Sequence, residues 1–100
     1  MTAWDPAQYL QFRDERTRPS HDLVGRIRLE APASVVDLGC GPGNSTDVLR
    51  HRWPGADVTG VDSSPDMIAA ARATFPDGRW AVGDMRTWRA DARVDLIFSN

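Results

Sequence analysis

Hydrophobic and polar positions in this chain keep a helical spacing before residue 34 and alternate between strand-like runs and helical spacing after it. Residues 5–17 read as a helix, with Asp5 as its cap and Pro6 at its first position, where a missing N–H costs nothing. Pro19 separates it from a second helix over 20–29. Ser20 is the N-cap there, and Leu23, Val24 and Ile27 form the apolar face. The period then shortens. "SVVDLG" (34–39) is a brief apolar run with β-branched valines, ended by glycine, and it predicts a buried strand. A helix follows over 44–53, with Val48, Leu49 and Trp53 inward and Pro54-Gly55 as its stop. "DVTGVD" (57–62) predicts the second strand. Residues 63–75 predict a helix with Ser64 as N-cap, Pro65 at its first position, and Met67, Ile68, Ala71 and Phe75 as its apolar face. "RWAVG" (79–83) and "VDLIFS" (94–99) are the third and fourth strands.

Strands that alternate with helices need crossover connections, and right-handed crossovers build a parallel sheet. The expected architecture is therefore α/β: a Rossmann-like, doubly wound parallel sheet of order 3-2-1-4, preceded by helices. Residues 1–33 are expected to form an N-terminal helical segment, and 34–100 the front part of the sheet domain. Order 3-2-1-4 leaves the apolar "LIF" of the fourth strand on an open edge, an aggregation hazard. The expectation is that these residues begin a longer chain.

Composition changes this picture little. Apolar residues make up 41% and charged residues 26% of 100, as in an ordinary globular chain. A net charge of −2 argues against a nucleic-acid or anionic-membrane surface. No apolar run approaches the roughly 20 residues of a membrane span, and "MTAWDPAQYL" has no basic or apolar signal region. The single Cys40 excludes an internal disulfide and a multi-cysteine metal site. A cytoplasmic protein without a metal is the expectation.

The chemistry gathers where strands end. "VVDLGCGPGNST" (35–46) puts Gly39, Gly41 and Gly43 directly after the first strand. In an open parallel sheet, ligands lie at the carboxyl ends of the strands, where the strand order reverses. Such a loop offers N–H groups and a helix N-terminus to an anionic group. A dinucleotide fingerprint needs a third small residue for close helix–strand packing, and Asn44 stands there instead. Asp37 is also awkward beside a pyrophosphate. S-adenosylmethionine (SAM) fits better. The loop N–H groups suit its carboxylate and Asp37 its ammonium. Asp62 ends the second strand 23 residues after Gly39 and suits both ribose hydroxyls, because a carboxylate accepts two hydrogen bonds from a diol. Asp84 suits the exocyclic amine of adenine, and Met85 the ring. Each residue has a plainer role as cap, turn or packing group, but together they end three successive strands.

These segments resemble motifs of the class I SAM-dependent methyltransferases: "VVDLGCGPG" the first, "VTGVDSS" the second, "GDM" the third and "VDLIFSN" the fourth. The resemblance implies that Cys40, Ser63, Met67 and Asn100 join the cofactor contacts. "WDPAQYLQFRDERTRP" (4–19) is similar to the N-terminal signature of the trans-aconitate 2-methyltransferase family, and the similarity continues through residue 72. It implies methylation of a carboxylate of trans-aconitate to a methyl ester. A carboxylate with a pKa near ~4 is ionised at neutral pH, so no general base is assigned. A polycarboxylate does need donors. Tyr9, Arg13 and Arg16 are the expected substrate contacts, with Arg18 and His21 in the same segment, which is read as a lid. The competing readings are a methyltransferase of another small molecule, an NAD(P)-binding oxidoreductase, a nucleic-acid methyltransferase and a non-catalytic SAM-binding module.

Overall fold

The computed structural model describes residues 18–89 and 93–99. The helix expected at 5–17 lies outside them, as do Tyr9, Arg13, Arg16 and Asn100. The described chain runs α1 (Arg18–Gly25), β1 (Ser34–Leu38), α2 (Asn44–Arg52), β2 (Asp57–Asp62), α3 (Pro65–Thr74), β3 (Arg79–Val82) and β4 (Leu96–Phe98). All pairings are parallel, and the order is β3-β2-β1-β4. The alternation of strands and helices thus yields the expected sheet. Asp95 sets β4 beside β1: its carboxylate accepts from the N–H groups of Ala33 (2.7 Å) and Ser34 (3.3 Å).

Side chains alternate across a strand, so Val35 and Asp37 share one face of β1 and Val36 takes the other. The register carries Val35 alongside Val58 and Leu96. On that face Val35, Val58 and Phe98 pack against Val24 of α1 and against Val48, Leu49 and Trp53. A second cluster joins Ile68, Ala71 and Phe75 to Trp80 of β3 and to Cys40. Fully burying a side chain of this size contributes roughly 1.5–3 kcal/mol. Each buried tryptophan also finds an acceptor: Trp53 Nε1 donates to the Leu29 carbonyl (3.0 Å), and Trp80 Nε1 to that of Phe75 (3.1 Å).

Two expectations about helices need correction. The helix expected at 20–29 already includes Arg18, the first described residue, and Pro19, so Ser20 is not its cap. That helix ends at Gly25, and the N–H groups of Arg26 and Ile27 close its last turn onto the carbonyls of Leu23 and Val24. Val24 is buried, whereas Leu23 is 40% exposed. In α3 the inward stripe is Ile68, Ala71 and Phe75, and Met67 is 43% exposed. Met67 precedes Ile68 by one position, about a quarter-turn around the helix, and falls off the stripe. The Ser64 cap is as expected, accepting from the Met67 N–H at 3.3 Å with Pro65 at the helix start.

Candidate cofactor cleft

The carboxyl edge of the sheet is organised by buried polar groups. Gly39, Gly41 and Gly43 all have positive φ, at 74°, 57° and 100°. Gly43 shows why glycine is required: a Cβ there would sit 2.7 Å from the Trp80 ring and 3.0 Å from Phe75. Beneath the loop, the fully buried Asp37 accepts from the hydroxyls of Ser45 and Thr46, both at 2.7 Å. These bonds tie β1 to the first turn of α2. Its other oxygen, Oδ1, is buried without a hydrogen-bond partner among the described residues. Burial pushes the Asp37 carboxyl above its ordinary range, against the lowering effect of the two hydroxyls.

Asp62 ties β2 to the same loop. One carboxylate oxygen accepts the Gly41 N–H and the other the Ser64 N–H, both at 2.9 Å. The N–H groups of Gly39 and Cys40 donate to the Val61 carbonyl, and that of Gly43 to the Cys40 carbonyl. At Gly39, Cys40, Gly41 and Gly43 the backbone N–H groups thus hold the loop in shape. Cys40 is also turned inward against the α3 cluster, with its thiol on the Gly41 carbonyl at 3.4 Å. Burial, with the Asp37 and Asp62 carboxylates nearby, pushes that thiol up to about 12.

The third strand ends differently. The Asp84 carbonyl accepts from the N–H groups of Thr87 (3.0 Å) and Trp88 (2.7 Å), which closes a tight turn. Arg86 reaches back to the Asp84 carboxylate. Its Nη2 lies 2.9 Å from Oδ2, its Nε lies 3.2 and 3.3 Å from the two oxygens, and its backbone N–H donates to Oδ1 at 2.9 Å. The guanidinium holds the Asp84 carboxyl below its ordinary range.

These strand ends enclose a cleft of ≈ 370 Å³ lined by Gly39, Asp62, Ser63, Gly83, Asp84, Met85 and Arg86. That is within the usual size of a small-molecule site. Of the residues expected to bind cofactor, Gly39, Asp62, Ser63, Asp84 and Met85 meet here. Asp37, Cys40, Gly41 and Gly43 do not line it; they build the floor and the loop. Met67 does not line it either, because it lies on the outer side of α3. Gly83 and Arg86 were not foreseen. A charged residue two positions after a strand-terminal aspartate was the available signal for Arg86, but it takes the turn at 84–88 to fold it back.

The residues fit the nucleoside end of SAM. Each Asp62 oxygen shown here accepts one bond and retains capacity for a hydroxyl donor. Gly39 approaches the Met85 side chain, leaving backbone rather than a side chain on that wall. The unpartnered Asp37 Oδ1 is the kind of buried acceptor that a cationic ligand group satisfies.

Residues 35–100 match the family model for the methyltransferase domain, and the chain belongs to that family. Its parallel sheet of order 3-2-1-4 is that of the class I, SAM-dependent type. Among solved structures, SAM-bound CalS10, an amino pentose methyltransferase from Micromonospora echinaspora, is similar at a TM-score of 0.74 and 28% identity, over 100% of this chain and 44% of that one. The plantazolicin methyltransferase BpumL, solved with SAH (S-adenosylhomocysteine), is similar at 0.61 and 27% identity, over 83% of this chain and 32% of that one. Among curated proteins, the chain is 55% identical to the trans-aconitate 2-methyltransferase of Azoarcus sp. (strain BH72) and 52% identical to that of Escherichia fergusonii. Both alignments cover 100% of this chain and 40% of the relative, so the chain spans 40% of the length of these relatives.

Proposed function

We propose that this chain forms the cofactor-binding part of a SAM-dependent O-methyltransferase that esterifies a carboxylate of a small polycarboxylic acid, trans-aconitate. The observation that carries the reading is the convergence of Gly39, Asp62, Ser63, Asp84 and Met85 on one cleft at the carboxyl edge of the sheet. The substrate comes from the relatives, at 55% and 52% identity over all of this chain.

Bound SAM supplies an activated methyl group. The chain's own task is to hold and align it. Asp62 accepts the ribose hydroxyls, Asp84 the adenine amine, and Met85 packs on the ring. Asp37 acts from beneath, holding the loop through Ser45 and Thr46. The substrate carboxylate is already ionised at neutral pH, so rate enhancement comes from proximity, alignment and exclusion of water rather than from proton transfer. Tyr9, Arg13 and Arg16 bind the remaining carboxylates, with Arg13 and Arg16 as charged donors.

The test uses the full-length protein with SAM and a panel of di- and tricarboxylic acids, with methyl esters detected by mass spectrometry. Ester formed from trans-aconitate in preference to the saturated and cis acids supports the reading. Esterification of an unrelated acid refutes the substrate, and absence of any SAM-dependent ester refutes the activity.

A further inference from the structure

Asp84 is exposed enough to rotate, yet four contacts from a single residue fix it. Both of its oxygens face Arg86, through Nε, Nη2 and the backbone N–H. The backbone that carries Arg86 is itself anchored, because the N–H groups of Thr87 and Trp88, just beyond it, both donate to the Asp84 carbonyl. Among the described residues lining the cleft, Arg86 is the only cation. A planar guanidinium fork matches a carboxylate edge as a lysine ammonium does not.

We propose that Arg86 is a positioning residue that makes Asp84 select a 6-amino purine over a 6-oxo purine. The inference rests on the SAM reading above. By reaching both oxygens, Arg86 holds the carboxylate in one orientation, and the acceptor capacity it does not use is left for a ligand donor. The carboxylate stays ionised beside a permanent positive charge and can only accept hydrogen bonds. A 6-amino purine brings a donor to it. A 6-oxo purine puts an acceptor where the amine stood, so its oxygen and the carboxylate repel each other there. A site built to receive a hydrogen bond rejects the analogue that lacks the donor far more strongly than an apolar site rejects a change in size. Without the fork, the Asp84 carboxylate turns toward solvent and the discrimination is lost, while Asp62, Ser63 and Gly39 still hold the ribose.

The experiment is calorimetric titration of the full-length protein with S-adenosylhomocysteine and with S-inosylhomocysteine, reading the ratio of the two affinities. The wild type should favour the adenosyl ligand. Arg86→Gln should lower that ratio by roughly an order of magnitude, mainly through weaker binding of the adenosyl ligand. Arg86→Lys should fall between, since it keeps the charge and loses the fork. In an Asp84→Asn background, Arg86→Gln should leave the ratio where it is. Thermal melts check each fold, and Arg86→Lys carries the test if Arg86→Gln melts early. An unchanged ratio in folded Arg86→Gln overturns the proposal, as does an equal loss of affinity for both ligands. A wild type that binds both ligands alike overturns it and leaves the SAM reading standing. A wild type that binds neither overturns both.

Discussion

Asp62 and Asp84 end neighbouring parallel strands and line the same cleft, yet their surroundings are opposite. Asp62 is half-buried and tied by backbone N–H groups from two other segments, the glycine loop and the start of α3. Behind it the fully buried Asp37 and the packed Trp80 complete a rigid floor. Asp84 stands at the rim, and its carboxylate partners come from Arg86, two residues away. The β1–β2 end of the cleft is therefore built by the fold itself, and the β3 end by one local turn. Substitutions at the first end should change stability and binding together. At the second they should change binding alone.

The largest effect is expected beneath the glycine loop. A Cβ on Gly60 would lie 2.5 Å from the Trp80 ring and 2.9 Å from the Thr46 hydroxyl. Neither neighbour has room to retreat, because Trp80 is held by the Phe75 carbonyl and Thr46 by Asp37. Gly60→Ala should destabilise the protein by about 3 kcal/mol, read from denaturant unfolding. A loss under about 0.5 kcal/mol would mean that the floor yields easily and the contrast is overstated.

Next comes Asp62→Ala, which removes the acceptors of the Gly41 and Ser64 N–H groups and the proposed acceptor for ribose. It should lower stability by about 1–2 kcal/mol and weaken SAM binding by about 1–3 kcal/mol. Chemical denaturation and calorimetry on the same preparation separate the two. A change in binding with no change in stability would place Asp62 in the same category as Asp84.

Asp37 sharpens the comparison through pH. Its folded carboxyl lies above the ordinary value, so the folded state holds that proton more tightly than the unfolded chain. Its stabilising contribution is complete below the unfolded value near ~3.9 and is lost as pH rises through the folded value. The stability of wild type relative to Asp37→Asn should therefore fall as pH rises across that window. A difference that is flat or rises with pH would contradict the buried, poorly solvated carboxylate described here.

The smallest effects concern reactivity and the rim. With its thiol pushed up to about 12 and its side chain buried, Cys40 should resist alkylation at pH 8 in the native protein and react promptly in denaturant. Asp84→Asn should leave the melting temperature unchanged while weakening SAM binding. A marked fall in melting temperature would show that the 84–88 turn supports the fold.

Much of this was legible in the sequence because it follows from periodicity. The runs at 34–38, 57–62 and 79–82 and the helices between them dictate parallel pairing, and the strand-terminal aspartates then fall on one edge. The direction of individual groups was not legible. Three glycines after a strand suggest open N–H groups, but the structure commits those of Gly39, Cys40, Gly41 and Gly43 to internal acceptors, a consequence of long-range contact with Val61 and Asp62. Met67 and Ile68 look alike as apolar letters, and only packing against Trp80 and Phe75 decides which turns inward. Pro19 reads as a break, although the structure places it within α1.

The central claim is that one cleft, at the carboxyl ends of β1, β2 and β3, holds the nucleoside of SAM. A crystal structure of the full-length protein with S-adenosylhomocysteine tests it most directly. The account places the ribose hydroxyls on the Asp62 carboxylate and the adenine amine on Asp84, with Arg86 still paired to Asp84 and Met85 against the ring. A nucleoside bound elsewhere, or seated here with its ribose turned away from Asp62, would contradict it.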